Sequence, residues 1–388
     1  MSGAVTTTAA REIRVLPERE WRARAAAHRA RADDLIRPYL EHRAAGTRHP
    51  VIDFLFTYYG HKPAQLRRWH PGFGIALENA AEYANFRGYH AVSVPGNAAV
   101  RVHGDAGQTH AGTTEADART TGTTEVGARA AGRTAADTRA TGMTGAGAGM
   151  IGVPETDAAP GSTADRTRES PAATMRDAAT ASVPACTADP DFLLRRLDTV
   201  EYVAKLLRAT ASRSAQLSCF GLHEWAMVYR SDEVRHRQVP MRLGRAGTDA
   251  VVESMSLRCT HFDAFRFFTP DAVPRNAERL TREDQPLREQ PGCLHANMDL
   301  YKWGYKLAPL IDSELLLDCF ELACDARELD MRASPYDLSG YGYTPVPIET
   351  PSGRAEYVRC QAQLAERAAP LRRRLLEAAE RLVRVAPR

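Results

Sequence analysis

The stretch CLHANMDLYKWGYKL, residues 293–307, places His295, Asp299, Lys302 and Lys306 among leucine, methionine, tryptophan and tyrosine side chains. On a helix, with about 100° per residue, these four fall within an arc of roughly 60°. Apolar side chains lie on both flanks of the arc: Leu294, Met298, Tyr301 and Tyr305 on one, and Leu300, Trp303 and Leu307 on the other. A polar stripe between two apolar flanks predicts a helix that faces an enclosed pocket. The alternative is a surface stripe of i,i+3 and i,i+4 pairs, each worth a few tenths of a kcal/mol.

Composition excludes several classes of protein. The 388 residues carry a formal charge of +3, and the longest apolar runs, such as LLL at 315–317, are far too short to cross a membrane. No signal peptide is recognisable at the N-terminus. The seven cysteines have no C-x-x-C spacing, which argues against a zinc ribbon and for reduced thiols. We expect a cytoplasmic protein without a membrane partner.

Residues 101–189 differ from the rest of the chain. They contain no Phe, Tyr, Trp or Lys, and a ten-residue repeat places glycine at 112, 122, 132, 142 and 152. Without large apolar groups, this segment cannot offset an ordering entropy of about 1–2 kcal/mol per residue. The pattern predicts a disordered insertion, with a solenoid as the alternative. The remainder holds 43 Lys and Arg against 37 Asp and Glu.

The predicted organisation is a disordered tail at 1–15 and one globular domain formed by 16–100 and 190–388, interrupted by the insertion at 101–189. Helical periodicity dominates both parts, so the fold class is α+β, mostly helical with a small sheet. We expect helices interrupted at Pro38 and Pro370, and extended chain in DAVVESMSLRCTHFDAFRFF, residues 249–268.

Two further stretches concentrate polar groups among apolar ones. CFGLHEWAMVYR, residues 219–230, contains adjacent His223 and Glu224, and lacks the second histidine of the zinc-protease motif H-E-x-x-H. The alternative interpretation is a core histidine beside a capping glutamate. CTHFDAFRFFTP, residues 259–270, would place His261 and Asp263 on one side of an extended chain, as ligands of a metal or as a structural pair.

A fourth stretch follows the helix predicted from Ser313 to Met331. In ELDMRASPYDL, residues 328–338, a turn at Pro335 would present Asp330, Arg332, Tyr336 and Asp337 near a helix terminus. Binding residues are common in such loops, although an Arg–Asp pair that fastens the loop is the alternative. Buried charges must be paired, ligating or catalytic, so we expect the polar groups of all four stretches to meet in one cleft lined by aromatic rings.

These stretches, together with HPVIDFLFTYYGHKPAQLRRWHPG at 49–72, resemble an actinobacterial family generally labelled 3-methyladenine DNA glycosylase. The resemblance covers nearly all of 16–96 and 190–385. It implies a hydrolase of DNA repair that cleaves the N-glycosidic bond of alkylated bases, with DNA as partner and no cofactor. The Gly-x-Gly hairpin of helix-hairpin-helix glycosylases is missing from this sequence.

Base excision would need a flipped nucleotide, stacking rings and a carboxylate near the sugar. The candidate catalytic residues are Asp299, Asp263, Asp330, His295, Glu224 and Lys302, the last through a Schiff base if its pKa were depressed. The candidate substrate-binding residues are His223, Trp225, Tyr229, Trp303, Arg332 and Tyr336, with Arg67 and Arg68 on phosphates and Trp69 as a wedge.

Two other functions fit the same sequence. One is a metal-dependent enzyme acting on a small molecule, in which His261, Asp263, His295 and Asp299 bind iron, zinc or manganese and Glu224 acts as base. The other is a non-catalytic module that binds nucleic acid through the RRWHPG region and the arginine-rich terminal helices.

Overall fold

The computed structural model describes residues 13–95, 182–232, 236 and 238–387. Four strands form one sheet beside the helical core. The strands are β1 (Arg14–Leu16), β2 (Ile75–Glu78), β3 (Tyr89–Pro95) and β4 (Ser182–Ala188), in the spatial order β1-β2-β4-β3. The β1–β2 pair is parallel, and β4 pairs antiparallel with both β2 and β3.

Twelve α-helices make up most of the described chain, and this confirms the predicted α+β class. They are α1 (Glu18–Ala44), α2 (Phe54–Thr57), α3 (Pro63–Leu66), α4 (Pro190–Arg195), α5 (Leu197–Ala211), α6 (Leu222–Ala226), α7 (Gly244–Ser254), α8 (Phe262–Phe265), α9 (Gln285–Arg288), α10 (Leu294–Leu307), α11 (Ser313–Arg332) and α12 (Pro351–Val385). None of the helices in the described residues combines the length and hydropathy that crossing a bilayer requires.

Helix α10 is the centre of the core and packs against α5, α11 and α12. Eleven of its 14 residues are buried, which agrees with the two apolar flanks seen in the sequence. Gly304 lets α11 approach closely, because a Cβ at this position would lie only 3.0 Å from Leu316 Cδ1. On the polar side of α10, His295 and Asp299 are buried, whereas Lys302 and Lys306 are partly exposed.

Several helix ends follow from local sequence. Asp189 caps α4 by accepting a hydrogen bond from the Asp191 amide at 2.9 Å, and Pro190 occupies the first helical position. Asp312 caps α11 in the same way through the Glu314 amide. These side chains satisfy amides that a helix leaves without partners in its first turn.

The structure corrects three expectations about the backbone. Helices α1 and α12 continue through Pro38 and Pro370, because tertiary packing outweighs the hydrogen bond that each proline removes. Residues 249–268 are not extended throughout, since α7 and α8 occupy half of that range, although Met255 and His261 between them have extended backbone. Strand β4 takes residues 182–188 from the predicted insertion, and β1 begins inside the predicted tail. The remainder of both predicted disordered segments lies outside the described residues.

Candidate functional site

A cavity of about 310 Å³ opens beside the N-terminal half of α10. Its walls come from α2, α6, α8, α10 and α11 and from the residues next to them. The aromatic lining is provided by Phe54, Tyr58 and Phe267. The ionisable lining is Glu224, His236, Asp263, His295 and Arg327. We call this cavity the central pocket; its size and its mixture of rings and polar groups are typical of small-molecule sites.

One buried ion-pair network lies on the α6–α11 side of the central pocket. The Arg327 guanidinium, whose side chain is 1% exposed, donates to Glu224 at 2.8 Å and to Asp330 at 2.6 Å. The other oxygen of Asp330 lies 2.7 Å from His223 Nε2. Arg327 also lies over the Phe54 ring, with its Cζ 3.9 Å from the centroid. This network therefore connects Glu224 and Arg327, which line the central pocket, to His223, which lies behind the pocket wall.

A second network lies on the α8–α10 side. Lys302 Nζ bridges Asp263 at 2.6 Å and Asp299 at 2.8 Å, and the Tyr59 hydroxyl donates to the other Asp299 oxygen at 3.0 Å. His261 Nε2 lies 3.1 Å from Glu289 and 3.3 Å from Asp299. All of these carboxylates are buried, so the network places several charges where water cannot screen them.

Two sets of metal-type donors occur where these networks meet. The ligand atoms of His223, His295 and Asp330 lie within 4.8 Å of one another, and so do those of His261, Glu289 and Asp299. His295 joins the sets, because its ring centroid is 4.4 Å from that of His223 and 5.3 Å from that of His261. Every donor in both sets is buried.

The protonation of the three histidines differs because their neighbours differ. Burial, reinforced by His223, holds the pKa of His295 well below its ordinary value, so this ring is neutral at pH 7. Burial alone would lower the pKa of His261, but Glu289 and Asp299 outweigh it and raise the pKa to about 9. Burial and Asp330 oppose each other at His223 in the same way, and Asp330 prevails and raises the pKa. His295 lines the pocket and, as a neutral ring, keeps one nitrogen lone pair that could bind a metal.

Lys302 does not fit the role of a Schiff-base nucleophile. Burial disfavours its charged form, but Asp299 and Asp263 more than offset this effect and raise the pKa of Lys302 above its ordinary value. The ammonium therefore keeps its protons, whereas a nucleophilic lysine needs a depressed pKa. Its structural role is to hold two buried carboxylates together.

The structure brings together most of the polar residues singled out in the sequence. His295, Asp263 and Glu224 line the central pocket, whereas His223, His261, Asp299 and Asp330 lie directly behind its wall. Asp263 is absent from both donor sets, because Lys302, Arg266 and Arg282 surround it. Glu289 takes the place that the sequence analysis assigned to Asp263.

The predicted stacking rings belong to the core instead of the pocket lining. Trp225 is completely buried and donates Nε1–H to the Ala333 carbonyl at 2.9 Å. Tyr229 bonds to Glu253, Trp303 packs edge-on against Tyr202, and Tyr336 is 1% exposed. A ligand cannot reach these faces, because protein side chains already cover them.

The predicted phosphate contacts, the predicted wedge Trp69 and the predicted substrate-binding Arg332 lie in separate environments. Arg67 pairs with Asp33, and Trp69 is buried beneath the sheet, where it cannot act as a wedge. Arg332 donates to the Thr344 carbonyl at 2.8 Å and thereby fastens the loop after α11. Arg68 alone lines a cavity, which is a second one at the other end of α10.

Five important residues were not identified from the sequence: Phe54, Tyr58, Phe267, Glu289 and Arg327. The aromatic run DFLFTYYG at 53–60 could have indicated pocket-lining rings, because one short helix cannot bury so many aromatic side chains. Glu289 and Arg327 have no local signal, since each gains its role only from residues on other elements. In comparisons with known proteins, no family model, no curated protein and no solved structure matches this chain.

Proposed function

We propose that this protein is a metal-dependent enzyme that acts on a small substrate held in the central pocket, with His223, His295 and Asp330 as ligands of a divalent cation. The observation that carries the proposal is a buried two-histidine, one-carboxylate donor set bordering an aromatic-lined cavity. Three protein ligands leave coordination positions open, which is the arrangement of catalytic metal sites. Non-haem iron and zinc are the metals that favour this donor set.

The charge of the surroundings supports a cation. Five buried carboxylates meet here, and the largely buried cations that contact them are Lys302 and Arg327. Among the described residues, the ionisable group within 4.0 Å of Glu289 is His261. A buried carboxylate without a counter-ion costs several kcal/mol. The excess negative charge must be balanced by protons on His223 and His261 or by a bound cation.

The second shell of His223 suits a ligand role. Its Nε2 points toward Asp330, and its Nδ1 lies 3.9 Å from the sulfur of Cys219. Arg327 holds one Asp330 oxygen, and a cation would take the place of the proton that now joins the other oxygen to His223 Nε2 at 2.7 Å. Outer contacts of this kind orient metal ligands and select the tautomer of the imidazole.

A bound divalent cation would supply Lewis-acid chemistry and lower the pKa of a coordinated water. The protein's own groups would do the rest. Phe54, Tyr58 and Phe267 would hold a flat or apolar substrate, and the pocket-facing carboxylate of Glu224 would accept a proton. Arg327, bonded to Glu224, would position that carboxylate.

Elemental analysis tests this proposal directly. The purified full chain should contain about one equivalent of iron, zinc or manganese, and a chelator should lower its thermal unfolding midpoint because a ligand that binds the native state stabilises it. His223→Gln and His295→Gln should abolish both effects. His90→Gln is the matched control, because His90 lies on β3, away from both donor sets. Protein free of metal, with a midpoint unaffected by iron(II), zinc or manganese, would exclude the proposal.

A second candidate is the base-excision activity implied by the sequence resemblance. It is favoured by a cavity large enough for one nucleobase, with rings on its walls and the Glu224 and Asp263 carboxylates beside them. Release of methyladenine from alkylated DNA, insensitive to chelator and abolished by Glu224→Gln, would favour this activity over the metal-dependent one. DNA binding that weakens steeply with salt, without base release, would instead indicate a non-catalytic module.

A further inference from the structure

A second cavity, of about 340 Å³, lies at the C-terminal end of α10. Four cationic side chains line it: Arg68, Arg87, Arg196 and Lys306. The rest of its polar lining is His61, Gln65, His70 and Tyr305, and none of the described residues that line it is Asp or Glu. We call this cavity the basic pocket. Its lining is unlike that of the central pocket, where each cation has an acidic partner.

The four cations are not neutralised by the protein. Over the described residues, none of them lies within 4.0 Å of a carboxylate, whereas their neighbours in sequence are paired: Arg67 with Asp33 and Arg195 with Asp189. A cluster of like charges without counter-ions lowers the stability of the native state. This arrangement is typical of a site for an anion.

The lining is also held in place before any ligand arrives. The Arg68 guanidinium lies 3.7 Å above the Phe86 ring, and Arg196 Nη2 donates to the Lys306 carbonyl. The Nε of Arg196 is buried and has no hydrogen-bond partner. Buried donors without partners are rare in folded proteins because each costs about 1–3 kcal/mol. The described residues provide no acceptor for this donor.

The electrostatics of the pocket agree with this geometry. Burial lowers the pKa of Lys306, and the nearby Lys302 and Arg196 lower it further. Burial and Arg87 together lower the pKa of Arg196. Neighbouring cations therefore contribute to lowering the pKa of both side chains, and at Lys306 the Asp299 and Asp263 carboxylates offset part of this effect.

We propose that the basic pocket binds a phosphate group. Arginine forks match phosphate oxygens bidentately, and a lysine adds a compact positive charge. Lys306, in the basic pocket, follows His295 by 11 residues on α10, which is roughly 16 Å along the helix axis. A ligand that occupies both pockets must therefore be extended, whereas a compact phosphorylated molecule would occupy the basic pocket alone. The inference does not depend on the metal site.

Two kinds of ligand carry this chemistry, and calorimetric titration of the full chain separates them. The probes are inorganic phosphate, pyrophosphate and a short single-stranded oligonucleotide. Saturable binding of pyrophosphate or phosphate, unaffected by the oligonucleotide, would identify a phosphorylated small molecule. Tighter binding of the oligonucleotide, displaced by pyrophosphate, would identify a nucleic-acid phosphodiester. In either case affinity should fall as salt is raised.

Paired substitutions show whether binding occurs at this site. Arg68→Gln and Arg196→Gln should each weaken binding by about 10- to 100-fold, which is the loss of one charge-assisted hydrogen bond. Arg67→Gln and Arg195→Gln remove equal charge one residue away and should change affinity by less than about twofold, because those side chains already have acidic partners. Lys306→Met provides a further variant should an arginine variant fail to fold. Absence of binding by all three probes, or equal losses in the control variants, would overturn the proposal.

Discussion

The buried guanidinium of Arg327 offers the sharpest test of how this site is stabilised. In Arg327→Met, the aliphatic part of the side chain is retained and the charge is removed. The Arg327, Glu224 and Asp330 side chains are 1%, 6% and 0% exposed. Glu224 would then be a buried carboxylate with no cation in contact, while Asp330 would keep His223.

The expected loss in the free energy of unfolding is about 3–5 kcal/mol, the cost of removing one partner from a buried ion pair. This is a large part of the 5–15 kcal/mol that stabilises a typical domain. Because the cost arises from the stranded charge, neutralising it should recover stability. The double variant Glu224→Gln with Arg327→Met should therefore be more stable than Arg327→Met alone.

Equilibrium unfolding in urea measures these differences, in a chelating buffer so that bound metal does not add to the stability. Arg367→Met is the matched control, since its ion pair with Asp325 is about half exposed on both sides and should contribute less than about 1 kcal/mol. A loss in Arg327→Met no larger than in the control would refute the reasoning. So would a double variant that is less stable than the single one.

Further predictions concern the folded domain as a whole. Burial, reinforced by Arg68, lowers the pKa of His70 to about 3, so below pH 6.5 the unfolded chain binds more protons than the native one. At pH 5 this difference should lower the free energy of unfolding by about 2 kcal/mol. In urea unfolding, the stability of His70→Gln should therefore fall by about 2 kcal/mol less than that of the unmodified protein when the pH is lowered to 5. Leu300→Ala, at a completely buried position of α10, should lose about 2–5 kcal/mol in the same assay, and a loss below 1 kcal/mol would contradict the central place of α10. Gly353→Ala should lower the free energy of unfolding by about 1–3 kcal/mol, because the new Cβ would collide with the Pro347 carbonyl and the first turn of α12 would have to shift. An unchanged thermal unfolding midpoint would contradict this prediction.

The sequence predicted local features well where a short pattern carries the physics. The burial of α10 follows from the two apolar flanks of a few consecutive residues. The expectations about Pro38 and Pro370 were wrong for the opposite reason. A local rule about prolines does not include the packing of a whole helix against the core, and that packing outweighs one missing hydrogen bond.

The sequence predicted which types of residue the candidate site contains, but only some of the particular residues that form it. Asp299 and His295 were identified because a charged group in an apolar helix is conspicuous in sequence. Glu289 was missed, since it stands in a short polar stretch that resembles an ordinary loop. Trp225 was assigned to a ligand because the sequence does not show that the Ala333 carbonyl already satisfies its indole N–H.

What the sequence by itself determined is the mostly helical class, the buried polar helix at 294–307, and the need for its charged groups to find partners. Tertiary structure alone decided which partners those are. Asp299 meets Tyr59 across 240 residues of chain, and Lys302 meets Asp263 across 39. Periodicity and capping act over a few residues, whereas such pairings depend on how whole helices pack, and packing is a property of the assembled core.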